Sequence, residues 1–181
     1  MPDGRFAEIV ILAEDRTQVR FIRSWLVQHV AHNSVINRIN DGGGSGEQYV
    51  RLMFPIEAEL HRRRAATRSA MLIAVIDADK DDVSERYKQL LQGETLGPGI
   101  FLFIPKRNIE TWLHQLNGRA ADEVTDYKPL YLKDPKSAIR TAGENFLALV
   151  RANGPIAHTP SLARGIEEAR RIPRLHEPQI R

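Results

Sequence analysis

The stretch MLIAVIDADKDD, residues 71–82, constrains the fold more than any other part of the sequence. Residues 71–76 are apolar and partly β-branched, which predicts a short strand that is buried on both faces. The run then changes abruptly into acid, with aspartates at 77, 79, 81 and 82. Because open parallel sheets bind their ligands at the carboxyl ends of strands, this strand end is the first candidate for a functional site.

Asp77 and Asp79 are two residues apart. In an extended chain such side chains project to the same side, so we expect the two carboxylates to lie together. Carboxylates held that close repel each other unless a cation lies between them, and oxygen ligands suit Mg²⁺ or Mn²⁺. The alternative is that these aspartates cap a helix and occupy a solvated loop. The stretch alone leaves both interpretations open.

Further strands are predicted before and after this one. Residues 7–13 form an apolar run that ends at Glu14, and an amphipathic helix follows, with Thr17 as its candidate N-cap. Residues 35–39 predict a short strand, and residues 100–104 predict another buried one. Strands that alternate with helices, without hairpin signals, predict a mainly parallel sheet flanked by helices.

A second polar segment follows residues 100–104. Asn108 is the predicted N-cap of a helix that ends at Asn117 and Gly118, and Glu110 lies in its first turn. For Glu110 alone, stabilisation of an acid by the helix dipole is the favoured interpretation. Because the carboxyl ends of parallel strands share one edge, polar side chains from several segments should meet there. Those expected at the edge are Glu14, Asp77, Asp79, Lys106, Arg107 and Glu110.

The segment DGGGSGE, residues 41–47, is rich in glycine. Its spacing matches neither the dinucleotide-binding nor the P-loop pattern, so it predicts a flexible turn. A helical apolar stripe follows from Tyr49 to Leu60, and Pro55 is expected to kink or divide that helix. The basic cluster at 61–64 would complement the carboxyl end of the helix.

The last third of the chain is predicted to be helical. Residues 119–133 are irregular, Asp134-Pro135 marks a helix start, and a second proline-led helix follows Pro160. We expect residues 1–118 to form the core, and residues 119–181 to form a helical extension packed on the same domain.

Composition limits the setting of the protein. Among its 181 residues there is no cysteine, which excludes disulfides and thiolate metal sites. No apolar run approaches a membrane span and no signal peptide is recognised, so we expect a cytoplasmic protein without membrane contact. Basic residues gather at 61–64 and near the carboxyl terminus, where Arg170 and Arg171 are candidates for contact with nucleic acid. The alternative for these arginines is a solvated face.

Three motifs together resemble the Toprim domain, the metal-binding fold shared by topoisomerases, bacterial primases and OLD-type nucleases. They are ILAED around Glu14, VIDAD with Asp77 and Asp79, and IPKRNIETWL with Glu110. The order, and the ending SLARGIEEARRIP, are similar to small bacterial Toprim-like proteins. The resemblance covers residues 7–115. This chain has Asp15 where the family usually has glycine, and KDD where glycine often follows the DxD.

The resemblance implies a Rossmann-like three-layer Toprim fold and a metal-dependent nuclease. Asp77 and Asp79 would hold Mg²⁺ or Mn²⁺, Glu14 would serve as ligand or general base, and Glu110 would complete a second metal position. Lys106 and Arg107 would bind phosphate, of either DNA or RNA.

Family membership further implies a link to phage defence or mobile elements. The rival hypothesis is a non-catalytic Toprim-like module that binds metal and nucleic acid or regulates a larger protein. OLD-type nucleases carry an ATPase in the same chain, whereas this sequence has no Walker motif, so the partner would be an ATPase in trans.

Overall fold

The chain forms a four-stranded parallel sheet between two layers of helices. The computed structural model describes residues 5–40, 44–133, 135–152, 154–155 and 158–173. This arrangement is a Rossmann-like three-layer α/β fold, so the predicted fold class is confirmed.

The sheet has the strand order β4-β2-β5-β6, and every neighbouring pair is parallel. The four strands lie within one residue of their predicted ends. A two-residue parallel pair, β1 with β3, was not predicted. The strands are β1 Arg5–Phe6, β2 Glu8–Ala13, β3 Ala31–His32, β4 Val35–Arg38, β5 Ala70–Val75 and β6 Ile100–Phe103.

Six helices and one 3₁₀ turn are present among the described residues. They are α1 Arg16–Leu26, α2 Gly46–Ala65, α3 Val83–Leu91, α4 Ile109–Leu116, α5 Pro135–Arg151 and α6 Pro160–Arg170, with the 3₁₀ turn at Lys128–Tyr131. None of these helices is both long and apolar enough to cross a membrane. Asn108 caps α4 as predicted, by accepting the amide of Thr111 at 3.3 Å. Asp134 lies outside the described residues, and α5 begins at Pro135.

The predicted cap of α1 was wrong, and one of the two outcomes expected at Pro55 is excluded. α2 is not divided at Pro55, because that proline lies on its exposed side while Val50, Phe54 and Ala58 hold the opposite side against the sheet. α1 is capped by Asp15 rather than Thr17, because the Asp15 carboxylate accepts the amide of Gln18 at 3.0 Å.

Alternate residues of the central strands face different helical layers. In β2, Ile9 and Ile11 pack in the cluster that contains α1, α4, α5 and α6, whereas Val10 and Leu12 pack in the cluster with α2 and α3. Burial on both faces explains why the strands are continuous apolar runs rather than alternating ones.

The carboxyl-terminal helices share the core of the sheet. The Phe146 ring of α5 lies 5.0 Å from Trp25 and 5.4 Å from Phe21, both on α1. Close packing is visible at Gly143, where an added Cβ would lie 1.9 Å from the Ser24 hydroxyl. α5 and α6 therefore complete one apolar layer rather than forming a core of their own.

The strand order places a topological switch point between β2 and β5. After β2 the chain moves to one side to form β4, and it then returns across the sheet to form β5 on the other side. α1 follows β2 onto one face, while α3 follows β5 onto the other. The crevice between the carboxyl ends of β2 and β5 is where ligands bind in such sheets.

Candidate acidic site at the carboxyl edge of the sheet

Glu14 and Asp77 meet in this crevice. Glu14 follows β2 directly, and its Oε1 accepts the backbone amide of Asp77 at 2.5 Å. Asp77 follows β5 by two residues and is buried, with 9% of its surface exposed. The structure thus brings together the first two predicted site residues.

Gln18 holds both acids in place. Its Nε2 donates to Asp77 Oδ1 at 2.9 Å, and its Oε1 accepts the backbone amide of Glu14 at 2.9 Å. The residue is completely buried. One side chain therefore fixes the backbone of the first acid and the carboxyl group of the second.

The sequence analysis missed Gln18, although a signal was present. Asp15 and Gln18 have the spacing of a capping box, in which the third helical residue reaches back to satisfy an amide at the helix start. Here Gln18 reaches the amide of Glu14, one residue before the cap. The contact with Asp77 spans 59 residues of sequence and had no local signal.

Asp79 does not have the extended geometry expected from its spacing to Asp77. Its φ angle is 52°, it is exposed, and it forms an isolated antiparallel bridge with Arg107, whose φ is 68°. The reason is a turn, which the Asp81 amide closes by donating to Ala78 O at 2.8 Å. Left-handed backbone is costly for residues with a side chain, although Asp tolerates it better than most.

The two remaining aspartates of this stretch have structural partners. Asp82 is the N-cap of α3 and accepts the Ser84 amide at 2.7 Å, so the helix-cap interpretation is confirmed for this residue. Asp81 Oδ2 forms an ion pair with Arg86 at 3.0 Å. Across the described chain, Lys80 pairs with neither Asp77 nor Asp79 within 4.0 Å. Asp81 and Asp82 therefore have structural roles, whereas Asp77 and Asp79 form no ion pair with a described residue.

Glu110 also lies on this edge. It is in the first turn of α4, as predicted, and only 4% of its surface is exposed. Burial raises the pKa of Glu110, and the charge of Asp15 raises it further. Glu110 in turn raises the pKa of Asp77, which shows that the two carboxyl groups are within electrostatic reach.

The acids disturb one another's ionisation. Burial raises the pKa of Glu14 to about 7; the hydrogen bond from the Asp77 amide opposes this shift, and the charge of Asp79 adds to it. Burial also raises the pKa of Asp77 well above its ordinary range, followed by the charges of Glu14 and Glu110. No cation of the described chain lies within 4.0 Å of these four carboxyl groups. The site therefore concentrates negative charge, which the charge of Lys128 offsets in part at Glu110.

The chemistry of this donor set fits a hard divalent cation, since all four candidate ligands are carboxylates. The geometry of a metal site is not yet formed, however. Among the residues described here, no three His, Cys, Asp or Glu side chains are grouped closely enough to hold a metal ion. One oxygen of Glu14 is engaged by the Asp77 amide, and Asp79 is turned outward. Binding an ion would therefore require side chains to move.

The start of α2 packs directly on Glu14. A Cβ added at Gly46 would lie 2.7 Å from Glu14 O and 2.8 Å from Glu14 Cβ. Residues 41–43 of the glycine-rich segment lie outside the described residues. For Gly46, the expectation of a flexible turn was wrong: the residue begins a helix and allows close packing against the site.

The predicted phosphate-binding residues fall in two places. Lys106 Nζ donates to Asp81 O, and Arg107 Nη2 lies 4.0 Å from Asp126, so both are on the acidic edge. Arg170 donates to Leu149 O at 3.0 Å, near the end of α5.

Arg171 lies away from the acids. It pairs with Glu168 at 2.6 Å and lies over the Phe101 ring at 5.7 Å. It borders a groove of about 580 Å³ that is also lined by Ala70 and Gly99, at the amino ends of β5 and β6. Nucleic-acid contact through Arg171 stays a prediction, and it would occur at the opposite edge of the sheet.

Fold and site together define a parallel α/β protein with an acidic crevice at its switch point. Comparison of the chain with protein-family models, with curated proteins and with solved structures gave no match. The Toprim resemblance therefore rests on the sequence motifs and stays a prediction.

Proposed function

We propose that this protein is a Mg²⁺- or Mn²⁺-dependent phosphodiester hydrolase that acts on nucleic acid. The observation that carries the proposal is the contact between Glu14 and Asp77 in the switch-point crevice. The charge of Glu110 acts on the buried Asp77, Asp79 lies at the rim, and none of these carboxyl groups forms an ion pair with a described cation. Carboxylates that raise one another's pKa in this way gain stability from a bound cation.

The four carboxylates have distinct roles in this proposal. Asp77 and Asp79 would hold the ion, and Glu110 would serve a second metal position. A divalent ion, when bound, neutralises the scissile phosphate and the developing charge on the leaving oxygen. Gln18 orients Asp77 by donating to its Oδ1, so that the other oxygen stays available as a ligand.

Glu14 is suited to proton transfer. Burial raises its pKa to about 7 in the metal-free protein, so this carboxyl group can take up and release a proton near neutral pH. Its Oε1 is engaged by the Asp77 amide, which leaves Oε2 for that role. This assignment makes Glu14 the base and Asp77 the permanent ligand.

Two cations on the same edge would bind the substrate backbone. Lys106 and Arg107 directly precede α4, and the turn at Asp79 pairs with Arg107 through the backbone. Phosphate contacts of this kind give affinity without sequence preference, for DNA and RNA alike. The proposal therefore covers both substrates.

A second candidate function is a non-catalytic module that binds metal and nucleic acid and works with an ATPase partner in trans. The observation that favours it is the absence, among the described residues, of three ligands already grouped for an ion. An enzyme site is usually better assembled before its cofactor binds.

Cleavage of DNA and RNA in Mg²⁺ or Mn²⁺, with EDTA as the negative control, tests the first function. Asp79→Asn keeps the size of the side chain, and asparagine readily adopts the left-handed backbone conformation at this position. The substitution should therefore remove cleavage without loss of folding. Glu85→Gln removes an exposed carboxylate from nearby α3 and should leave cleavage intact. Mn²⁺ binding without cleavage would favour the second function, and a chain that binds no Mn²⁺ would overturn both.

A further inference from the structure

Arg86 is a buried cation with an unusual set of partners. Only 3% of its surface is exposed, although it lies in a surface helix, α3. Its Nη1 donates to Glu47 and to Gln89, the latter at 3.1 Å, and its Nη2 pairs with Asp81 at 3.0 Å. Its Nε is buried without a hydrogen-bond partner in the described structure.

The two acids that Arg86 holds belong to different segments. Glu47 is the second residue of α2, beside Gly46, which packs on the backbone of Glu14. Asp81 closes the turn that begins at Ala78 and contains Asp79. One guanidinium therefore connects the segment that supports Glu14 to the turn that presents Asp79.

Stability alone does not explain this arrangement. Removing the guanidinium from water is costly while its two carboxylate partners stay partly exposed, and apolar packing often stabilises a fold equally well. The planar fork of arginine, however, holds two carboxylates in fixed directions at the same time. The arginine therefore fixes the position of the α2 start relative to the turn that contains Asp79.

We infer that Arg86 is a positioning residue of the acidic site, which sets the distance between Glu14 and the turn that carries Asp79. The inference rests on the proposed function, in which Asp79 holds the metal ion and Glu14 is the base beside it. Arg86 does not touch the reacting atoms. It acts through Glu47 and Asp81, whose two negative charges it offsets only in part.

Arg86→Lys tests this role, because lysine keeps the charge but cannot hold both carboxylates in one plane. Mn²⁺ titration should show affinity at least about 10-fold weaker than in the wild type, as is typical when the support of a metal ligand is lost. Lys88→Met is the matched control: it removes an exposed cation from the same helix and should not change the affinity. Unchanged affinity in Arg86→Lys would overturn the inference.

Amide hydrogen exchange separates this inference from the proposed function. The Asp81 amide, bonded to Ala78 O, should exchange faster in Arg86→Lys than in the wild type, with or without metal. A wild type that binds no Mn²⁺ would overturn the proposed function, and exchange would still decide the positioning role. If Arg86→Lys does not fold, Glu47→Gln is the second variant, and unchanged Asp81 exchange there would overturn the inference.

Discussion

At the scale of single residues, Glu14 makes the protein sensitive to pH. Its pKa rises from 4.5 to about 7 on folding, because burial disfavours the carboxylate. A carboxyl group with a raised pKa stabilises the folded state below its unfolded value, and this contribution is lost as pH rises through the folded value. We therefore expect the metal-free protein to lose stability between about pH 4.5 and pH 7 through this group.

Urea unfolding at pH 5 and pH 8 measures this effect, with Glu14→Gln as the comparison. The variant keeps an oxygen for the Asp77 amide but does not titrate. The wild type should lose more stability than the variant over this interval, and Mn²⁺ should restore it at pH 8. Identical pH profiles for both proteins would contradict the assignment.

Gln18 supports the site through two hydrogen bonds, one to Glu14 and one to Asp77. Loss of its amide group should therefore remove a partner from both acids. Gln18→Met keeps the volume but leaves the Glu14 amide and Asp77 Oδ1 without their partner. We expect a loss of about 1–3 kcal/mol in unfolding free energy, which is typical of an orphaned buried polar group. Gln28→Met, at an exposed position just after α1, should change stability by less than about 0.5 kcal/mol.

At the scale of elements, the start of α2 depends on a glycine. Alanine favours helices, but in Gly46→Ala the added methyl would meet the backbone of Glu14 at 2.7 Å. Overpacking of this kind costs about 1–3 kcal/mol and would displace α2 from Glu14. Thermal unfolding should show a lower midpoint for Gly46→Ala, whereas Gly154→Ala, with nothing within 4 Å, should match the wild type.

The elements themselves were largely predictable. The strands β2, β5 and β6 were recognised because they are buried on both faces and therefore read as uninterrupted apolar runs. The error at Thr17 has a local cause, since Asp15 is the better-placed cap, whereas α2 continues through Pro55 because it packs on the sheet. The β1–β3 pair escaped prediction because two residues carry no periodic pattern.

The site was predictable only in part. Glu14, Asp77 and Glu110 were recognised because they follow buried strands, and topology alone gathers strand ends. The contacts of Gln18 with Asp77, of Arg86 with Glu47 and of Asp79 with Arg107 join residues far apart in sequence, which no local pattern records.

At the scale of the whole molecule, the carboxyl-terminal helices share the apolar core on one face of the sheet. Phe146 is completely buried against two aromatic residues of α1. Phe146→Ala should therefore cost about 3–5 kcal/mol, and all regions should unfold in one transition. Denaturation followed by tryptophan fluorescence and by circular dichroism tests this, and two separate transitions would indicate that the extension is an independent domain.

The parallel pairing of β2 with β5 has a consequence for how such a protein can diversify. The register places Ala13 opposite Val75. The backbone hydrogen bonds between β2 and β5 therefore set the distance between the segments that carry Glu14 and Asp77. Insertions in outlying connections, such as residues 92–99 or 119–128, would leave that separation untouched. New surfaces can therefore be added around an unchanged acidic crevice.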